Sequence, residues 1–345
     1  MELSEAKNIL YNHVKPTIAE VPMEFYNVVK GTSGSYSRSI MRLKHHLMED
    51  DAVIIGAGEG FVEAAGIGTG DATDCKWDSF RSKFFDFTVK YGIQNIRAGM
   101  LYPFLKPEER WAWLSRVIWW KKYETAESTV YKNLKEILQD KEYFIITSEP
   151  DNLFVENGFP PERILETEGS YGKFQCDGTC DSNTFLNREM IEEMMKSQGF
   201  VIGPVGNMYI PEGVVARTSI SSNLVPKCPV CGGHISPNIS LDNKLVHDDD
   251  YYIMNSLYDN FLREYDGKKI LFLELGVERE CVEDIRIPFW NMVGNNLKST
   301  YGSVNLDGTY YPTNMKERSI LIEGDIRVVI KDLTQNIDRA IEPTS

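Results

Sequence analysis

Residues 51–67, DAVIIGAGEGFVEAAGI, constrain the chain most: an apolar run breaks into glycines and then into small residues at helical spacing. Ala52 to Ile55 leave neither face for water, the mark of a fully buried parallel strand. Gly56 and Gly58 then permit a turn without a Cβ clash and a close approach of the backbone to a ligand. In a doubly wound sheet, a glycine turn between the first strand and its helix lies at the carboxyl end of the strands. Backbone N–H groups hold phosphates there. GAG also serves as plain turn chemistry, so its meaning depends on the rest of the chain.

Beyond the glycines, the order of strand, polar turn and helix repeats. A strand at Tyr143–Thr147 runs into Thr147-Ser148-Glu149-Pro150-Asp151, and a shorter one at Ile164–Glu166 into Thr167-Glu168-Gly169-Ser170. Residues 269–275, 301–304 and 319–322 read as later strands, each ending in a polar or glycine turn. Helices are expected at 37–48, where Ile40, Leu43 and Leu47 share a face, after Pro107, and at 126–139. The pattern predicts an α/β fold with a Rossmann-like doubly wound parallel sheet. Residues 1–50 read as two helices, residues 66–77 as a surface loop over the ligand crevice, and the aromatic stretch 79–124 as buried helix. The tail after Leu333 carries no strong signal.

With 345 residues, 42% of them hydrophobic, the chain suits a main domain and a smaller module. A net charge of −14 argues against nucleic acid and against anionic membranes. No stretch approaches the ~20 apolar residues of a membrane span, and the first residues lack an apolar signal core; the expected location is the cytoplasm. Six cysteines are too few for a disulfide scaffold at this length. Four of them, Cys176 and Cys180 in CDGTC and Cys228 and Cys231 in CPVCGG, have the spacing of a tetrahedral zinc site. Gly232 and Gly233 free the second turn to aim N–H groups at sulfur. With no His and no open position, the zinc is expected to be structural; the competing reading is four unrelated buried cysteines. Cys75 and Cys281 read as ordinary small residues.

A GAG loop after the first strand, a zinc ribbon midway and a Gly-Asp pair after the last strand together resemble the sirtuins. The segments RSKFFDFTVKYGIQNIRAGMLYPFLKPEERWAWLSRVIWW, ETEGSYGKFQC, CPVCGGHISPNISLDN, LFLELGVE and IRIPFW resemble the macrodomain-linked (class M) branch. The resemblance covers roughly residues 40–333. It implies a large Rossmann-like domain (37–170 and 248–335), a zinc-ribbon domain (171–247), a helical extension (1–36) and a tail (336–345). An NAD cleft would lie between the two domains. The activity associated with class M is protein ADP-ribosylation rather than deacetylation, with a protein substrate or partner. Matched by position, Gly56, Ala57 and Gly58 correspond to the pyrophosphate loop and Asp151 to the Asp of the T-N-x-D turn. Gly169 corresponds to the glycine of the H-G or Q-G turn, Gly276 to the glycine after the late strand, Asn305 to the adenosine-ribose Asn, and Gly324 with Asp325 to the adenine-side pair.

Four positions depart from the sirtuin pattern towards acid. Glu59 comes after the glycine loop, Glu149 stands in place of the T-N-x-D Asn, Glu168 in place of the catalytic His or Gln, and Glu278 after Gly276-Val277. Acids on four ligand loops oppose a dianionic pyrophosphate unless they point away or are neutralised. Two main readings are open, and the four acids favour the first. In it, NAD chemistry is lost or redirected, and the chain acts by binding another ligand or a partner. In the second, the chain is an active NAD-dependent ADP-ribosyltransferase or NAD glycohydrolase. Glu168 is then the base, and Glu149 or Asp151 stabilises the cationic ribosyl centre. A third has Glu59, Glu149, Asp151 and Glu168 converge on Mg²⁺ or Ca²⁺.

Overall fold

A computed structural model describes residues 27–31, 34–66, 76–124, 127–178, 180, 184–204, 206–240, 244–278, 282–306 and 308–335. The first expected helix, most of the crevice loop, the tail, Cys75 and Cys281 lie outside the described residues.

A strand, β1 (Val28–Gly31), and a helix, α1 (Tyr36–Glu49), precede the glycine stretch; Ile40, Leu43 and Leu47 form the buried face of α1, as their spacing requires. The glycine stretch is β2 (Ala52–Ala57), buried at every position, then Gly58 as N-cap and α2 (Glu59–Ala64). Next come α3 (Lys76–Tyr91), α4 (Ile96–Met100) and α5 (Pro107–Ile118). Lys76 and Trp77 are thus helical rather than part of the expected loop. Helix α5 continues into a five-residue π-helical turn, Trp119–Tyr123. Beyond it lie α6 (Thr129–Leu138), capped by the Ser128 side chain, β3 (Tyr143–Thr147), α7 (Leu153–Glu156) and β4 (Ile164–Glu166).

The chain leaves the sheet through β5 (Gly169–Cys176), β6 (Thr184–Leu186), α8 (Arg188–Ser197), the short pair β7 (Val201–Ile202) and β8 (Met208–Tyr209), and β9 (Ile235–Ile239). It returns by α9 (Asp249–Glu264) and β10 (Ile270–Leu275) to a second π turn, Val282–Arg286, and α10 (Ile287–Asn295). The last elements are β11 (Thr300–Asn305), β12 (Thr309–Pro312), β13 (Ser319–Glu323) and α11 (Ile326–Thr334).

Six strands form one parallel sheet in the order β13-β11-β10-β2-β3-β4. The chain fills the β3-β4 side first and the β11-β13 side afterwards, so the topological switch falls between β2 and β10. Side chains alternate across the strand. Val53 and Ile55 therefore join Leu43, Leu134 and Ile330 on one face, while Ile54 joins Phe289, Trp290 and Tyr258 on the other. Strand β1 pairs antiparallel with β12, where the sequence had pointed to helix only up to residue 50.

Strands β6-β5-β9 form a separate antiparallel sheet. The aromatic stretch packs against it: Phe80, Phe84, Trp111 and Trp113 share one core with Phe174, Ile191 and Met194. Fully buried Arg116 ties this core together. It forks onto Asp86 of α3 at 2.6 and 2.8 Å and reaches Gln198, just after α8, at 2.7 Å. The π turn at the end of α5 is held by Trp119, which donates to Gly206 O at 2.8 Å, and by Tyr123, whose hydroxyl donates to Asn187 Oδ1 at 2.5 Å.

Candidate functional site

The turns after β2, β3, β4, β10, β11 and β13 all lie at the carboxyl edge of the parallel sheet, where open α/β folds keep their ligands. At the switch, two glycine turns interlock. A Cβ on Gly58 would stand 2.7 Å from the Gly276 carbonyl oxygen, and one on Gly276, at φ +62°, would stand 2.4 Å from the Phe61 nitrogen. The Gly58 N–H donates to Leu275 O (3.1 Å) and the Gly60 N–H to Gly276 O (3.0 Å). Gly56, at the end of β2, lies under Ile285 and Phe289, and Ala57 beside it is buried. The glycines thus let two backbones touch, which fixes the floor of the crevice.

Asn305 at the end of β11 steadies that floor by donating to Val277 O at 3.1 Å. Beneath it, Arg286 from the second π turn meets Glu274 of β10; the two are 3% and 0% exposed, and the guanidinium also donates to Val277 O at 2.8 Å. Tyr301 adds a hydroxyl to Glu274 at 2.7 Å. The Gly324 N–H donates to Asn305 O, and Asp325 caps α11 through the Arg327 N–H while pairing with the Arg327 guanidinium at 2.8 Å.

The turn after β3 carries the most perturbed groups. Glu149 is mostly buried; burial first, and then the fields of Asp151, Glu59 and Glu278, push its carboxyl up to about 8, against the opposing pull of Lys121. Asp151, 2% exposed, is raised by burial to about 6 although Leu153 N–H, Lys121 and Lys122 favour its charged form. One Asp151 oxygen accepts from Leu153 N–H at 2.9 Å; the other oxygen and the neighbouring Ser148 hydroxyl are buried without a partner. Lys121 is 5% exposed and, among the described residues, its ammonium makes no hydrogen bond or ion pair. Four acids and a lysine therefore act on one another across the crevice, with polar atoms of both signs left unspent.

Glu168 does not stand in this group's first circle. It hydrogen-bonds Asp284, which burial and that bond raise to about 7, and it lies near His247 and Tyr251. Gly169 comes next at φ +87° against Asn238 O, which places β5 tight on β9. Sequence reasoning missed Lys121, Lys122, Glu166 and Asp284. Glu166, pushed up to about 7 by burial, accepts the Asn152 N–H at 2.7 Å. The available signal was WWKKY, two adjacent lysines ending an otherwise apolar helix.

At the far end of β5, the Sγ atoms of Cys176, Cys180, Cys228 and Cys231 all lie within 4.8 Å of one another. Cys176 and Cys231 are 3.7 Å apart, against the ~3.8 Å that tetrahedral Zn–S bonds of about 2.3 Å imply. Gly178 and Gly233 donate N–H groups to Cys176 and Cys231. The residues fit a zinc ion. Among the described residues no set of three carboxylates converges in this way, so the third reading loses its support. No helix of the described residues is long and apolar enough to cross a membrane.

No family model matches the chain. A protein ADP-ribosyltransferase of Staphylococcus aureus is 26% identical over 295 residues, covering 85% of this chain and 86% of that one. A probable bifunctional ADP-ribose hydrolase/ADP-ribosyltransferase of Fusarium oxysporum f. sp. cubense is 24% identical over 316 residues, covering 84% of this chain and 49% of the relative. A solved chain described under "Structural Basis for the Mechanism and Regulation of Sir2 Enzymes" superposes with a TM-score of 0.51 at 15% identity, covering 86% of this chain and 98% of that one. With a parallel Rossmann-like sheet and a separate four-cysteine module, the chain has the fold of the Sir2 enzymes.

Proposed function

We propose that the chain is an NAD-dependent ADP-ribosyltransferase of the class M type, with NAD hydrolysis as the same reaction when water is the acceptor. The carrying observation is the state of the acids. Taken as four full charges, Glu59, Glu149, Asp151 and Glu278 would repel a dinucleotide. Burial keeps Glu149 largely protonated at pH 7, and Lys121 offsets Asp151. Two of the four charges are thus met before a ligand enters. Both curated relatives bear ADP-ribosyltransferase names, which supports the same reading.

NAD supplies the ADP-ribosyl group, and nicotinamide leaves. The chain's own residues account for the rest. The glycine floor and Lys121 receive the phosphates, Ser148 and Glu149 hold ribose hydroxyls, and Asp151 faces the positive charge that develops at the ribosyl carbon. Glu168, sharing a hydrogen bond with Asp284, takes the acceptor's proton; Asp284, raised to about 7, is placed to share that proton. The cysteine module holds zinc as a structural ion.

Nicotinamide release from NAD by the zinc-loaded protein tests this. Asp151→Asn and Glu168→Gln should each lower the rate about a hundredfold or more. The second reading, a cleft turned to another ligand or partner, draws on the separation of Glu168 from Glu149. It would be restored by a folded protein that releases no nicotinamide and gains no thermal stability from NAD or ADP-ribose.

A further inference from the structure

Outside the crevice, the chain forms a groove of about 660 Å³ between edge strand β4, the start of β5, the first π turn and the N-terminal half of α9. Its walls are largely apolar, with Val155, Pro161, Ile164, Leu165, Ile253 and Met254 among them. Its size is that of a small-molecule site.

The charges around it are matched with one exception. Lys173 binds Asp248 and Asp250, each at 2.6 Å. Asp248 also takes the Thr184 hydroxyl and the Tyr251 N–H. Exposed Arg188 lies over the Tyr123 ring, 5.1 Å from its centroid. His247 stacks on Tyr251 at 3.8 Å, and burial holds its pKa below the ordinary value, so it is neutral. Glu166 spends one oxygen on the Asn152 N–H and makes no hydrogen bond to a lysine. The exception is Lys122, which lies in the fields of Glu166, Glu156 and Asp151 but hydrogen-bonds none of them. Its stem lies across Gly172, where a Cβ would come within 3.1 Å of Cε, and it ends in the groove, half-buried. Among the described residues, this ammonium has no hydrogen bond or ion pair. An ammonium has three donors, and one that no protein group takes is open to an anionic ligand.

We propose that this groove binds a small organic acid, with its carboxylate on the Lys122 ammonium and an apolar body along Val155, Ile164 and Met254. Binding here does not require NAD chemistry in the crevice, although Lys122 acts on Asp151 and the groove residues His247 and Tyr251 lie near Glu168. The groove adjoins the crevice, because Lys122 and Lys121 are consecutive residues of one π turn.

Isothermal titration of the full zinc-loaded chain with straight-chain carboxylates from butyrate to decanoate, and with the matching alcohols, tests the proposal. Saturable binding of the acids is expected, tightening about fourfold per methylene until the groove is full, while the alcohols bind at least tenfold more weakly. Lys122→Met should weaken the acids tenfold or more, and Lys122→Arg should retain them. Should Lys122→Met fail to fold, Ile253→Trp decides: at the 55% exposed rim it narrows the groove and should weaken decanoate more than butyrate. No saturable binding of any acid, equal binding of acids and alcohols, or unchanged affinity in the variants that fold would overturn it.

Discussion

Four thiols and four carboxylates are each gathered by this fold, at opposite ends of β5, and the two clusters deal with their like charges in different ways. The sulfurs of Cys176, Cys180, Cys228 and Cys231 come within 4.8 Å of one another, close enough for a single ion to take all four. Glu59, Glu149, Asp151 and Glu278 stay farther apart. A proton on Glu149 and the pull of Lys121 on Glu149 and Asp151 temper part of that charge instead. A cluster closed on an ion is fixed. One held by protons retains unspent polar atoms and responds to pH, which is what a reacting site requires and a structural site does not.

The comparison breaks most visibly at the zinc end. A structural zinc is worth about 10–16 kcal/mol in isolated finger peptides, as much as a whole domain's stability. Cys228→Ser, at a position 2% exposed, should abolish stoichiometric zinc by elemental analysis and loosen the β6-β5-β9 module, read as lost near-ultraviolet dichroism. Retained zinc and an unchanged melting temperature would refute the four-thiolate assignment.

Glu274 supplies a third way to bury an acid, by an ion pair. Removing only the cation, Arg286→Met, strands a carboxylate that is 0% exposed, at an expected cost of about 3–5 kcal/mol in chemical denaturation. The double variant Arg286→Met with Glu274→Met should recover most of that loss. If it does not, the pair's hold on Val277 O, rather than charge burial, is what matters.

These clusters also differ in how far the sequence disclosed them. The cysteines were legible because both members of each pair sit on one tight turn and the glycines around them have a local reason. The strands were legible for a similar reason: Ala52 to Ile55 and Tyr143–Thr147 are apolar without alternation, and both are buried throughout. The strands outside the parallel sheet, β1, β5 to β9 and β12, escaped, since they are short or irregular and carry no buried apolar run of their own. The acids could be placed on their turns, but not given a charge. That depends on Lys121, which reaches Glu149 from a segment 28 residues earlier through the packing of α5, and on Asp284, which meets Glu168 across the fold. Non-local neighbours leave no mark in spacing.

A smaller effect sharpens the contrast through pH. Glu149 has a folded-state pKa of about 8 against an ordinary 4.5, so the native protein holds more protons than the unfolded chain between those values. Stability from this group is fully present below about pH 4.5 and is lost as pH rises through 8. Glu149→Gln, which stays neutral throughout, should therefore be more stable than the parent by about 1–3 kcal/mol at pH 8.5, with the difference closing towards pH 5. A constant difference at all pH values would mean that the carboxyl is not buried as a proton-holding group.

The smallest expected change is also the most discriminating. Lys121 pulls the pKa values of both Glu149 and Asp151 downwards, so Lys121→Met should let both rise further. Losing a cation that makes no hydrogen bond and losing its pull on two acids act in opposite directions, so stability should change by no more than about 1 kcal/mol. If Lys121 serves only to temper the acids, NAD affinity at pH 7 changes little in the variant. Its alkaline decline then moves up by about half to one pH unit, since the acids stay neutral longer. If Lys121 also receives a phosphate, affinity falls about tenfold or more at every pH, and the loss shrinks in high salt. A titration of NAD binding against pH, run for parent and variant at two salt concentrations, separates the outcomes. A variant indistinguishable from the parent in all of these would remove Lys121 from the crevice and, with it, the reason for regarding the acids as neutralised.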